Sequence, residues 1–228
     1  MTCMHMPFAG SECRVPRPFW MRPGSICVGL AVLAVAALLF PSLGDAFAMR
    51  RVALAHGAWW QVFTGHLAHF NVTHLAWDVA ALLILGIIAE CRGRCAAAIT
   101  LAGSAMVISA AILGFTPNIS EYRGLSGIDS SLFAFVAVGM LMDALRDRRW
   151  AVAIFITLFL TAFLGKTCFE LATGHALFVQ DMGPDVLPVA LAHVAGGVWG
   201  IVVAVAQAWR VGPGFSGKNV RRHVLERE

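Results

Sequence analysis

The sequence predicts an all-α, polytopic membrane protein, and three observations carry that prediction. Of its 228 residues 59% are hydrophobic and only 13% charged, with a mean hydropathy of +0.75, a composition foreign to soluble domains. Six apolar runs approach the roughly 20 residues that a helix needs to cross a hydrocarbon core of about 30 Å: residues 25–44, 72–90, 95–115, 125–142, 150–169 and 187–209. The fourth is the shortest. Finally, Lys and Arg sort to one side. With the N-terminus in the cytoplasm, every basic residue except Arg50, Arg51, Arg123 and Lys166 falls in a cytoplasmic loop or tail, the bias by which membrane proteins are oriented. The net charge of +4 then reflects topology and a basic tail near anionic lipid, with no nucleic-acid partner.

Taken in order, residues 1–24 are rich in Arg and Pro and are expected to form a cytoplasmic tail. The first apolar run is followed by Ala46-Phe47-Ala48, a small-x-small pattern that resembles a signal-peptide cleavage site. A retained anchor is the preferred reading, because the basic region before it is long and Pro41, Gly44 and Asp45 serve equally as an exit into a loop. The first outer loop, residues 45–71, holds Trp59, Trp60 and Phe63. Residues 52–63 can lie in the interface as a short amphipathic helix or form an ordinary aromatic belt. In the second run His74 and Asp78 are four apart and share a helix face. Ionisable groups inside a span are expensive and mark function by default. His66 and His69 sit nearer the interface, where structural histidines are common.

Small residues of the third run, Gly103, Ser104, Ala105, Ser109, Ala110 and Ala111, suit close helix packing. The fourth starts at Gly124-Leu125-Ser126-Gly127. The fifth, residues 151–169, is aliphatic and Phe-rich with little polar content and is expected to face lipid. The acidic loop 171–186, with Asp181, Asp185 and Gly183-Pro184, is either a connector or a cover for a site. In the sixth, His193 is followed by Gly196, Gly197 and Gly200, a face suited to pressing against another helix. Residues 25–209 thus read as one membrane domain and residues 210–228 as a basic cytoplasmic tail. The cysteines at positions 3, 13, 27, 91, 95 and 168 fall in cytoplasmic or intramembrane segments and suggest no disulfide framework. Cys91 and Cys95 lack the third and fourth ligands of a zinc site.

Under this topology helices two, four and six all run inward from the outer face, so His74, Asp78, Ser126 and His193 share one depth. The inner half of the bilayer is expected to hold no comparable polar group. A serine hydroxyl becomes nucleophilic when a base within hydrogen-bond reach takes its proton, which histidine can do near neutral pH. Ser126 and His193 can form that dyad. A developing oxyanion would then find donors in the backbone N–H groups that open helix four, aided by the helix dipole, and in His74. Gly124 and Gly127, before and after the serine, allow close approach of substrate backbone and of helix six.

Here the residues resemble a known family. Gly124-Leu125-Ser126-Gly127, Ala192-His193 with Gly196, and His74 with a polar residue at 78 resemble the rhomboid intramembrane serine proteases across all six helices. Trp60-Gln61-Val62-Phe63-Thr64, through His69 to His74, is similar to that family's first loop and second helix. Tyr122-Arg123-Gly124-Leu125-Ser126-Gly127 and Thr64-Gly65-His66 look most like the rhombosortase branch, bacterial enzymes that process proteins carrying a C-terminal glycine-rich motif and membrane helix. The resemblance implies a six-helix bundle with cytoplasmic termini in the bacterial inner membrane. It implies Ser126 as nucleophile, His193 as general base, and His74 with Asp78 and Gly124 around the oxyanion. No cofactor or metal is required, and the substrates are single-span membrane proteins unwound near the outer face.

Two departures stand out. Many rhomboids carry Asn where this chain has Asp78, and a carboxylate donates to an oxyanion only when protonated, as burial can arrange. Position 130 is Ser where rhomboids often have an aromatic residue. Ser130 or Asp129 can orient His193 in a loose triad, or both can simply bond carbonyls of the preceding turn. Two rival readings remain: a catalytically inactive relative that binds membrane helices, and a metal-binding protein using His66, His69, His74 and Asp78.

Overall fold

The computed structural model describes residues 23–174 and 190–211. Among these described residues five helices are long and apolar enough to span a membrane, and a sharply bent pair supplies a sixth candidate. The chain is therefore an all-helical, multi-pass membrane protein. In order, the elements are α1 (Ser25–Leu39), α2 (Pro41–Phe47), β1 (Met49–Arg50), α3 (Arg51–Ala55), α4 (Gln61–Thr64), α5 (Val72–Arg92), α6 (Arg94–Phe115), β2 (Glu121–Tyr122), α7 (Ser126–Arg146), α8 (Trp150–Thr173) and α9 (Ala190–Val211). The acidic loop around Asp181 and Asp185 and most of both tails, Cys3 and Cys13 among them, lie outside the described residues.

The expected first span is shorter than its apolar run. It stops at Leu39, and α2 turns off at 117° after Phe40, because Pro41 at the first position of α2 has no N–H with which to continue the ladder of α1. The expected fourth span, by contrast, is longer than its run and continues to Arg146. At the start of α1, the N–H groups of Ile26 and Cys27 donate to Glu90 Oε1 of α5 at 3.1 and 3.2 Å. A buried acid thus caps one helix from another and pairs with Arg94 at 3.3 Å. This corrects the expectation that polar groups concentrate at one end of the bundle: Glu90 is buried at the other.

Direction follows from the contacts between helices. Asp78 of α5 reaches Leu125 just before α7, while at the far ends of the same helices Arg92 meets Asp143 at 2.9 Å. Gly196 and Gly200 of α9 meet Gly127 and Ser131 of α7 in register. Hence α5, α7 and α9 run parallel, and their N-termini share one end, called here the serine end. The seam between α7 and α9 presses backbone against backbone. A Cβ on Gly196 would come within 2.0 Å of the Gly127 carbonyl oxygen, and one on Gly200 within 2.1 Å of the Ser131 carbonyl oxygen. Gly197 faces Phe163 of α8 instead, and Gly103 of α6 accommodates the indole of Trp199. Small residues admit backbone at distances that any side chain would forbid.

Between α2 and α5 the chain folds back over the serine end. Gly57, at φ +93°, separates α3 from the segment leading to α4, so residues 52–63 form two short helices with Trp59, Trp60 and Phe63 exposed between and along them. The two-residue ladder Met49↔Tyr122 and Arg50↔Glu121 ties this segment to the approach to α7. Arg50 and Arg123 each bond both Asp45 and Glu121. Arg123 and Arg50 hold the Asp45 carboxyl below its ordinary value. At Glu121 partial burial works the other way, but the two guanidinium groups outweigh it and the shift is again downward. Arg51 donates to the carbonyls of Ile112, Leu113, Thr116 and Ile119, closing the C-terminal end of α6. Together with Lys166, paired to Glu170, these are the four basic residues that break the charge asymmetry, and each is engaged by a specific partner.

Candidate active site

Ser126 is the first residue of α7, and His193 lies one turn into α9. The glycine seam brings them together: His193 Nε2 stands 3.2 Å from Ser126 Oγ. The helix start leaves the first N–H groups without intrahelical acceptors, and the ladder of α7 begins only with Asp129 N–H donating to Leu125 O. Serine, base and outward-facing amides therefore occupy one end of one helix.

The approach to the serine needs glycine. Gly124 has φ +130°, a conformation that side chains disfavour, and a Cβ there would lie 2.9 Å from His74 Cε1 and 3.7 Å from Asp78 Oδ2. His74, Asp78 and Gly124 are thus gathered beside the serine. Asp78 uses Oδ2 as an acceptor for the Leu125 N–H at 2.9 Å, and His69 Nε2 and His74 Nε2 converge on the same oxygen at 3.1 and 3.3 Å. Through this oxygen Asp78 anchors the backbone ahead of Ser126, a role that sequence spacing did not suggest. The Nδ1–H of His69 donates to the Leu67 carbonyl at 3.1 Å, which fixes the ring and leaves its other nitrogen facing the Asp78 carboxylate.

His66 goes elsewhere. Its Nε2–H donates to the Ala105 carbonyl at 3.1 Å, with Ser109 Oγ at 3.2 Å, and its ring stacks edge-on against Tyr122. Complete burial pushes it down to about 4. Held against α6, His66 is not part of the cluster that His69, His74 and Asp78 form. Among the described residues the one group of potential ligands is His69, His74 and Asp78, with donor atoms within 4.8 Å of one another; Cys91 and Cys95 are free and exposed.

The two residues expected to orient His193 do not touch it. Ser130 Oγ donates to the Ser126 carbonyl at 2.8 Å, the back-bonding that serine readily makes one turn along a helix. Asp129 is buried on the other side of α7, with Asp78, Tyr122 and Cys27 as electrostatic neighbours, and its oxygens have no hydrogen-bond partner among the described residues. The position is held instead by Glu170 of α8, whose Oε2 lies 2.8 Å from His193 Nδ1. Lys166, one turn earlier on α8, is 2.8 Å from the same carboxylate and 3.5 Å from Nδ1. The apolar run of the fifth helix ends at Phe169, one residue short of Glu170, whereas α8 continues to Thr173. The i,i+4 spacing of Lys166 and Glu170 was the available signal.

No curated protein matches this chain. Residues 56–210, which run from the aromatic loop through all but the last residue of α9, match the family described as Rhomboid domain; the chain, with its serine and histidine at the head of two glycine-packed helices, belongs to the rhomboid family.

Proposed function

We propose that the protein is an intramembrane serine endopeptidase of the bacterial inner membrane. It cleaves single-span membrane proteins near the outer face, and its substrates carry the C-terminal glycine-rich sorting signals of the rhombosortase branch. The observation that carries the reading is the 3.2 Å approach of His193 Nε2 to Ser126 Oγ at the open end of α7. In the reaction, Nε2 takes the Oγ proton as Oγ attacks the scissile carbonyl carbon, and the imidazolium then gives that proton to the leaving amine. Water, deprotonated by the same nitrogen, hydrolyses the acyl-enzyme and returns the serine proton. The N–H groups of the first turn of α7 receive the oxyanion, with His74 beside them; Asp78 fixes both by holding the Leu125 amide and facing His74. Local unwinding of the substrate helix exposes the bond, and Gly or other small residues make that unwinding cheap.

The test is labelling of detergent-purified protein with a fluorophosphonate probe, the adduct located by peptide mass. Labelling of Ser126 that disappears in His193→Ala establishes an activated serine. Folded wild-type protein that stays unlabelled rejects the reading. The histidine pair with Asp78 favours a specific second reading, a bound divalent metal. Metal analysis of the same sample separates the two, because the protease keeps its activity in chelator.

A further inference from the structure

We infer that Glu170 is a third member of the reactive group, the positioning acid of a Ser126–His193–Glu170 triad, and that Lys166 is the charge partner that holds its carboxylate in place. This rests on the serine protease reading for its consequence in turnover, but the geometry stands without it. An imidazole serves as base toward Ser126 only if Nε2 carries the lone pair, which requires the proton on Nδ1. A carboxylate cannot donate, so Glu170 Oε2 at 2.8 Å from Nδ1 selects that tautomer and fixes the ring plane. When Nε2 takes the serine proton, the resulting imidazolium keeps its Nδ1–H directed at Glu170. The proton passes only between Oγ, Nε2 and the leaving amine, and Glu170 takes none.

A buried carboxylate needs a charge partner. Glu170 is 2% exposed, and the Lys166 ammonium lies within 2.8 Å of it from the same helix. The placement is specific against its background. Of the 24 residues of α8 only Ala153, Ile156, Thr167 and Glu170 are buried, while Ile154, Phe155, Leu158, Phe159 and Leu164 are exposed. A helix that turns mostly apolar side chains outward has placed its acid inward, against the histidine of α9.

The experiment uses the full chain in detergent with histidine labelled at both ring nitrogens by 15N, the His193 signals assigned by their loss in His193→Gln. In wild type at neutral pH the expected spectrum shows protonated Nδ1 and bare Nε2. A dominant Nε2–H tautomer overturns the proposal, and this measurement needs no change at position 170. In Glu170→Gln, whose amide can either donate or accept, the single tautomer is expected to give way to a mixture. Cleavage kcat is expected to fall by about 10²–10⁴-fold with KM within about twofold. Thr167→Val, which alters a buried neighbour on α8 outside the triad, should leave both readouts unchanged. A folded Glu170→Gln protein with an unchanged His193 spectrum also overturns the assignment, whatever its activity. A wild type with the Nδ1–H tautomer but no labelling of Ser126 would sustain the positioning role and reject the protease reading, so the two failures are distinguishable.

Discussion

Of the histidine–carboxylate contacts at the serine end of this bundle, His69–Asp78 and His193–Glu170 are built to different purposes. In His69–Asp78 both ring nitrogens are spent: Nδ1 on the Leu67 carbonyl and Nε2 on a carboxylate oxygen that also receives the Leu125 N–H. In His193–Glu170 the acid takes Nδ1 alone and leaves Nε2 facing Ser126. An imidazole beside a carboxylate is an anchor when its second nitrogen is committed to the fold, and a base when that nitrogen meets a nucleophile. The difference lies in the third partner.

The largest test removes the reactive nitrogen. His193→Ala is expected to lower Ser126 labelling by about 10⁴-fold or more, whereas His69→Gln should lower stability while leaving labelling of the protein that folds within about tenfold, as compared by probe kinetics and thermal unfolding. Next in size is the seam that brings Ser126 to His193. Gly196→Ala places a methyl group against the Gly127 carbonyl, with an expected cost of about 1–3 kcal/mol and a fall in labelling as the helices part. Retained stability and labelling would show that the seam yields freely. A smaller effect is expected on the anchoring side. Asp78→Asn keeps an acceptor for the Leu125 N–H and should retain most activity, while Asp78→Ala leaves that amide unpaired at about 1–3 kcal/mol; a dead Asn variant would mean that the carboxylate itself is needed.

The smallest expected effect concerns His66, the third buried histidine at this end. Because burial holds it down at about 4 against an ordinary 6.5, the unfolded chain binds its proton first as pH falls. Its contribution is full above about pH 7 and is lost between about pH 6.5 and 4. Thermal unfolding of His66→Gln should show a shallower loss over that window than wild type. Parallel slopes would show that His66 is not the group responsible.

Much of this was legible in residue order. Pro41 marks the break in the first helix, Gly196 and Gly200 mark a face for close packing, and Ser126, His193, His74 and Asp78 fall at one depth because alternate helices start at one end. The acid that meets His193 was not legible in the same way. Ser130 and Asp129 are polar groups close to Ser126 along the chain, yet one turns back to its own helix and the other faces away. Glu170 lies 23 residues from His193, just past the end of the apolar run at Phe169.

By itself the sequence determined, in outline, which stretches form membrane-length helices and which small residues let α7 and α9 touch, since each depends on local composition and on the helical repeat. Only the tertiary structure decided which carboxylate faces which imidazole. That choice depends on the rotation and register of α8 against α9, and a helix apolar on nearly every side carries no periodic signal to specify either.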